Sequence, residues 1–373
     1  MDKRKVLLIS GTWPPAKCGV GRYAERYYSR FKANPDFELS VLTSHECHPH
    51  ESRFYDVEQW RLRDLPAMLE IIKEVQPDIV HIQYPTRAYK RQLGINLLPL
   101  VLRLKRIKTI VTMHEYFQTS LLGRARSLLT VWPVQRIIVS NEADFSMLPN
   151  HLKSKLKIIP ISSTLTPAKP DKKRFLQILK MAGLDQSKQI MVFFGLPFAN
   201  KRLEILVDAA TQLSDQVQLL LPIEADNQND YANTILARAK ELKANGAPIG
   251  LTGFLSDQDM TAVLAGADYF VLPQTTPPLT AKSSTAIAAA ENGCVIIAAA
   301  TQLRNFSKPF VSGKNCWLLD DLSPENLAKT INELADNPAR RQKLASEAAR
   351  LAKYFDWENV VKLYSELYKE LAN

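Results

Sequence analysis

Between Ala265 and Ala298 the chain reads as a buried strand, a polar loop, a helix opening on Lys282-Ser283-Ser284-Thr285, and a second buried strand after Gly293. Three hydroxyls and a lysine at a helix start are groups that hold a phosphate. The first N–H groups of a helix have no intrahelical partners, and the dipole is positive at that end. Ordinary capping would draw on the same hydroxyls, because Ser and Thr are favoured N-caps. A second cationic point is Lys201-Arg202, read as opening the first helix of the second half. Cations are mildly unfavourable at a helix N-terminus. A cation kept there argues for an anionic ligand such as a diphosphate.

The first half holds two more candidates. The loop from Gly11 to Tyr23 carries Gly19, Val20 and Gly21 into a helix start. It lacks the G-x-G-x-x-G spacing of a dinucleotide site. Glycine there lets a ligand approach the backbone, or simply serves a helix entry. His114-Glu115 ends the apolar run TIVTM, at the strand end where parallel sheets bind ligands. His81 and Gln83 lie on the preceding run at positions expected to be more buried, and His81 reads as a satisfied core histidine. The cluster His45-Glu46-Cys47-His48-Pro49-His50 has metal-ligand residue types but no second ligand pair, so a polar loop is expected and no metal site.

Elements that would position these groups alternate along the chain. KVLLIS (5–10), LSVLT (39–43), DIVHIQ (78–83), TIVTM (109–113) and RIIVS (136–140) read as strands, with helical patterns at 20–32, 65–75 and 92–106 among them. After a loop-like stretch near residue 160 a second series follows: QIMVFFG (189–195), QLLLP (218–222), PIGLTG (248–253), DYFVLP (268–273) and CVIIAA (294–299). Helices at 323–334, 337–354 and 357–371 close the pattern. Such alternation predicts an α/β protein with two doubly wound parallel sheets, facing across a cleft at their carboxyl ends.

The chain of 373 residues suffices for two domains, and at 46% hydrophobic and 23% charged it is globular. No apolar run reaches a membrane span and no signal peptide precedes the first strand. The four cysteines form no CxxC pair, which fits a cytoplasmic protein with reduced thiols. The net charge of +10 resides in residues 1–166, with 25 Lys+Arg against 15 Asp+Glu, while the remainder is balanced. This asymmetry points to an anionic partner of the first half. No RNP or helix-turn-helix phrase is present, so nucleic acid is not expected. The stretch 88–108, with Lys90, Arg91, Arg103, Lys105, Arg106 and Lys108 around LLPLVL, reads as a basic amphipathic surface or as a core-packed helix with a solvated face.

Over essentially its whole length the chain resembles the retaining glycosyltransferases of the GT-B fold, family four (glycosyl transferases group 1). The resemblance rests on WPPAKCGVGRYA, PDIVHIQY, VTMHEY, KIIPISS, FFGLPFANKRLEILVDAA, LTGFLSDQDMTAVLAGADYFVLP and the final FDWENVVKLYSELY. It implies an acceptor-binding domain at 1–166, completed by a returning helix at 357–373, and a donor-binding domain at 167–356. Lys201 would hold the diphosphate of a nucleotide sugar, with Gly195 and Arg202 beside it. Ser283, Ser284 and Thr285, with Lys282, would cradle the distal oxygens, and Gly19, Val20 and Gly21 would approach from the other domain. Phe254 and Leu255 would flank the base. His114 would meet the transferred sugar, with Glu115, Tyr116 and Gln274 as further sugar or acceptor contacts.

The chain departs from the family where its usual pair of glutamates would fall, at Thr280 and Ala288. Lys282-Ser283-Ser284-Thr285 is similar to the basic-Ser-Gly-Ser phrase of one branch, and Glu291 is a substitute candidate for the ribose contact. The expected activity is transfer of glucose or another hexose from a UDP-sugar to a glycan or lipid-linked acceptor, in polysaccharide or glycolipid biosynthesis. No metal and no cofactor beyond the nucleotide sugar are expected; Asp226 and Asp230 lack the D-x-D spacing. The alternative is a catalytically silent relative that binds nucleotide or glycan. The basic half and the 88–108 stretch add an expected peripheral contact with an anionic cytoplasmic membrane face.

Overall fold

The computed structural model describes residues 3–16, 18–49, 51–84, 88–114, 116, 120–165, 170–275, 279–300 and 307–372. The chain divides into two compact units, Met1–Thr164 with Trp357–Asn373, and Leu165–Asp356.

In the first unit the order is β1 (Arg4–Ser10), α1 (Gly19–Phe31), β2 (Phe37–Ser44), β3 (Phe54–Val57), α2 (Leu65–Val75), β4 (Ile79–Tyr84), α3 (Gly94–Leu104), β5 (Lys108–Met113), α4 (Leu121–Val131), β6 (Arg136–Val139), α5 (Glu142–Met147) and β7 (Leu156–Ile158). The seven strands lie in the order β3-β2-β1-β4-β5-β6-β7, and all pairs are parallel. Central strands such as β1 are apolar without alternation because helices cover both faces. The strand order reverses between β1 and β4; Gly19 opens the helix that follows β1, and Gln83 lies near the carboxyl end of β4.

The second unit runs α6 (Lys172–Ala182), β8 (Gln189–Val192), α7 (Glu204–Ala209), β9 (Val217–Leu221), α8 (Asp230–Ala244), β10 (Ile249–Leu251), α9 (Asp257–Gly266), β11 (Tyr269–Leu272), α10 (Ser284–Glu291), β12 (Val295–Ala299), β13 (Trp317–Leu319), α11 (Pro324–Ala335) and α12 (Pro338–Ala352). Its parallel sheet has the order β10-β9-β8-β11-β12-β13. Here the reversal falls between β8 and β11. Among the described residues, five of its seven α-helices start on a side-chain cap: Asp171, Asn229, Ser256, Ser323 and Asn337 each accept a hydrogen bond from the first turn.

The final helix α13 (Trp357–Ala372) returns to the first unit and buries Trp357, Val360, Tyr364, Leu367 and Tyr368 there. Its outer face is pinned by ion pairs from Glu370 to Arg136 (2.5 Å) and Lys157 (3.6 Å), and by Lys369 to Asp36 (2.5 Å). The stretch 88–108 resolves as the core-packed alternative. Ile95, Leu98, Pro99 and Leu102 of α3 are buried, so its apolar stripe faces the core and not solvent. Among the described residues no helix is long and apolar enough to cross a membrane, and all four cysteines are free thiols.

Candidate functional site

In the second unit the chemistry collects at the reversal point. The loop after β8 bears Gly195, whose φ of +148° suits glycine, and then a 3₁₀ turn, Ala199–Lys201. This corrects the expected helix opening. Lys201 ends that turn, Arg202 follows at φ +50°, and α7 begins only at Glu204. The chain reverses sharply before the helix can start, and the Tyr231 hydroxyl, rather than a cap, takes the Leu203 N–H at 2.6 Å. The dipole argument made for Lys201 therefore does not apply to it.

A different feature makes Lys201 unusual. Its ammonium is largely buried, and the Gln274 amide oxygen, from the loop after β11, accepts its hydrogen bond. Among the described residues no carboxylate lies within ion-pair distance of it. Desolvation alone acts on it and pushes its pKa down to about 8. Gln274, expected as a sugar contact, is itself buried and joins the β8 and β11 loops.

The same β11 loop leads to α10, and here the capping expectation fails. Ser283 occupies the N-cap position, but its side chain makes no cap bond. Its oxygen instead accepts from the Thr280 N–H at 3.1 Å, and the Lys282 N–H turns to the Thr280 hydroxyl at 3.2 Å. Those bonds hold the loop and leave the helix start open. The backbone N–H groups of Thr285 and Ala286 have no partner among the described residues. Ser284 and Thr285 stand half-exposed beside them. Thr280 and Ala288 are both buried, while Glu291 lies exposed in the last turn, about 10 Å from the start of α10 at 1.5 Å per residue. Phe254 is exposed after β10, following Gly253 at φ +73°, with Leu255 half-buried.

In the first unit the groups gather around His114. Its ring follows β5 and is half-buried; Nε2 donates to the Gln83 amide oxygen at 2.7 Å, and Tyr23 packs edge-on at 5.3 Å. His81 is fully buried and hydrogen-bonded on both nitrogens, and burial pushes its pKa down to about 3, so it is neutral. Gly19 faces open space, whereas a Cβ on Gly21 would meet the Thr12 hydroxyl at 2.9 Å. Gly21 is thus held by packing, and Gly19 with the half-buried Val20 forms the accessible start of α1. Tyr116 is buried in the core of this unit, with the Arg124 guanidinium 5.9 Å from its ring centre. Glu115 lies outside the described residues, as does His50 of the His-Cys cluster. Of that cluster, His45 meets Asp56 at 2.6 Å, and no metal-binding group is found among the described residues.

The two parallel sheets form two Rossmann-like domains, and the second carries a desolvated lysine after β8 and an uncapped helix start after β11. Residues 177–351, most of the second unit, match the model of the glycosyl transferases group 1 family. It is 22% identical over 203 residues to alpha-maltose-1-phosphate synthase of Mycolicibacterium smegmatis, a match covering 52% of this chain and 51% of that protein. The chain thus spans about half the length of this curated relative. Its whole length is similar in fold to the Anabaena protein HepE, solved in complex with UDP and glucose (TM-score 0.75, 14% identity, 98% of this chain and 100% of that one). It is also similar to sucrose-phosphate synthase of Thermosynechococcus elongatus (TM-score 0.71, 18% identity, 99% of each chain). A glycosyltransferase of Rickettsia africae gives a TM-score of 0.74 at 14% identity, covering 100% of this chain and 99% of that one. These likenesses establish the two-domain GT-B architecture.

Proposed function

We propose that the protein is a retaining glycosyltransferase that moves a hexose from a UDP-sugar to a glycan or lipid-linked acceptor, in polysaccharide or glycolipid synthesis. Lys201 carries the proposal: a buried ammonium whose partner is an amide and whose pKa is held near 8 calls for an anion. A nucleoside diphosphate supplies that charge. Its oxygens also suit the open N–H groups of Thr285 and Ala286 and the hydroxyls of Ser284 and Thr285. As the sugar–phosphate bond breaks, negative charge grows on the diphosphate, and these donors stabilise it without reorganising. The scheme requires no metal, because the lysine and the helix end supply the positive potential. Phe254 and Leu255 serve the base, His114 the transferred sugar, and Gly19 and Val20 the diphosphate. UDP-glucose is the first donor to test, in view of the neighbour solved with UDP and glucose.

The buried Thr280 and Ala288, where family members carry glutamates, favour a second reading: a silent relative that binds the nucleotide but transfers nothing. One experiment separates the two. Wild type and Lys201→Ala are melted with UDP, GDP and ADP, then incubated with the matching sugars while free nucleoside diphosphate is measured. Stabilisation with turnover supports the transferase, and stabilisation without turnover supports the silent relative. No stabilisation by any of the three nucleotides removes both.

The acceptor side is proposed to meet an anionic cytoplasmic membrane face. With the stripe of α3 buried, its contact narrows to the end of that helix. There Arg103 lies 5.5 Å from the ring centre of Trp132, which is 54% exposed, and Lys155 donates to the Trp132 carbonyl at 2.8 Å. Neutralising Arg103, Lys105, Arg106 and Lys155 together should abolish cosedimentation with anionic vesicles at low salt, since each cation near such a surface contributes about 1 kcal/mol. Equal, negligible pelleting of the wild type with anionic and neutral vesicles would remove the membrane from the scheme.

A further inference from the structure

The first unit contains a run of buried polar groups that stability alone does not call for. It starts on α13, 252 to 341 residues away in sequence from the groups it reaches. The Tyr368 hydroxyl lies 2.6 Å from His81 Nδ1 and 2.5 Å from the Tyr27 hydroxyl. The Tyr364 hydroxyl lies 3.0 Å from Thr112 Oγ1, which in turn lies 2.7 Å from His81 Nε2. The Gln83 amide nitrogen approaches that same Nε2 at 3.1 Å, and its oxygen accepts from His114 Nε2 at 2.7 Å. Proton directions follow from the chemistry. An amide NH₂ only donates, so His81 Nε2 bears the lone pair and Nδ1–H donates to Tyr368. The Gln83 carbonyl only accepts, so His114 carries a hydrogen on Nε2.

A second arm of the same helix reaches His114 by packing. Trp357, anchored by Nε1–H to the Ser163 carbonyl at 2.9 Å, stacks on Tyr23 at 5.4 Å between ring centres. Tyr23 in turn sets its ring edge-on to His114. One arm fixes a ring nitrogen and the other backs the ring. Burial keeps His81 neutral, with the neighbouring His114 adding to the effect, and the four tyrosines Tyr23, Tyr27, Tyr364 and Tyr368 are all pushed upward chiefly by burial. The network holds a geometry and a tautomer.

We infer that α13 is a positioning element for His114, acting through Tyr368, Tyr364, Thr112, His81 and Gln83, with Gln83 the residue that selects the Nε2–H tautomer. The inference rests on the proposed role of His114 in turnover, but its first test needs no substrate. Histidine tautomers are read from imidazole nitrogen shifts in uniformly ¹⁵N-labelled protein, with His114→Ala to assign the signal. The wild type should show His114 as Nε2–H. Tyr368→Phe deletes one hydroxyl without changing the ring, and should mix the tautomers of both His81 and His114. Thr112→Val gives the same readout from the other side should the first variant not fold. In Gln83→Glu the carboxylate still accepts from His114 but cannot donate to His81, so adding Tyr368→Phe should leave the His114 signal unmoved. In turnover assays Tyr368→Phe should lower kcat on the order of tenfold with KM for the donor unchanged, as expected for coupling within one hydrogen-bonded network. An unmoved His114 signal in the folded Tyr368→Phe variant would overturn the inference, whether or not the protein proves to be a transferase. A moved signal with no transferase activity would keep the positioning and discard only the assigned reaction.

Discussion

The two units place polar groups at the same topological point and treat them in opposite ways. At the β1/β4 reversal the side chains that reach His81 and His114 are joined in series: hydroxyl to imidazole, imidazole to amide, amide to His114. At the β8/β11 reversal a buried lysine has only an amide, and the helix that follows β11 starts without a side-chain cap while five others in that unit are capped. A satisfied buried network fixes geometry, and an unsatisfied one stores affinity for whatever completes it. The first unit thus presents a finished side chain, and the second presents a vacancy of charge.

The comparison breaks most visibly at its two focal residues. His114→Ala should reduce kcat by about 10²- to 10³-fold, the usual cost of losing one transition-state contact, while UDP affinity measured by calorimetry stays level. Full activity in that variant would demote the histidine to packing. Lys201→Ala should do the reverse and weaken UDP binding by roughly 1.5–3 kcal/mol, the range for hydrogen bonds to charged groups. Unchanged affinity in a variant with an intact melting transition would take Lys201 out of the site.

A pH series sharpens the same contrast. With its folded pKa near 8 against an ordinary 10.5, Lys201 is charged below about pH 8 and neutral above it in the ligand-free protein. Diphosphate affinity should therefore be flat below pH 8 and fall as pH rises past it. The unfolded chain binds the extra proton between pH 8 and 10.5, so Lys201 should make the free protein more stable as pH climbs through that window. Lys201→Met should flatten both curves, and curves that keep their slope would refute the assignment. The smallest effect belongs to Ser284→Ala. Loss of one hydroxyl donor to the diphosphate should cost about 1.5 kcal/mol in UDP affinity, the low end for hydrogen bonds to a charged group, with the melting temperature unmoved. A lower melting temperature with normal binding would show that the hydroxyl only supports the helix.

Central strands were legible because burial on both faces writes itself as an unbroken apolar run. The edge strands β3, β7 and β13 were not. FYDV, LKI and WLL are three or four residues long and partly exposed, and they are strands only because a neighbour pairs with them. Lys201 was legible by type and rough position, but its turn was misread as a helix, since the left-handed Arg202 leaves no signature in composition. Gln274 as the partner of Lys201 follows from the adjacency of β8 and β11, which no local pattern reveals. The His114 support was missed for the same reason. Its one local signal was the i,i+4 tyrosine pair on each of two helices, Tyr23/Tyr27 and Tyr364/Tyr368, a spacing that puts both hydroxyls on one face.

The return of α13 also bears on how the molecule is made. The first unit's sheet emerges early in synthesis, yet Tyr364, Tyr368 and Trp357, which fill its core, are added only after the whole second unit. Until then His81 and the inner faces of Tyr27, Phe31 and Phe37 lack their covering helix. A nascent chain usually folds N-terminal domains first. In this protein the domain that starts first finishes last, and a ribosome stalled anywhere in the second unit would carry an open aromatic core.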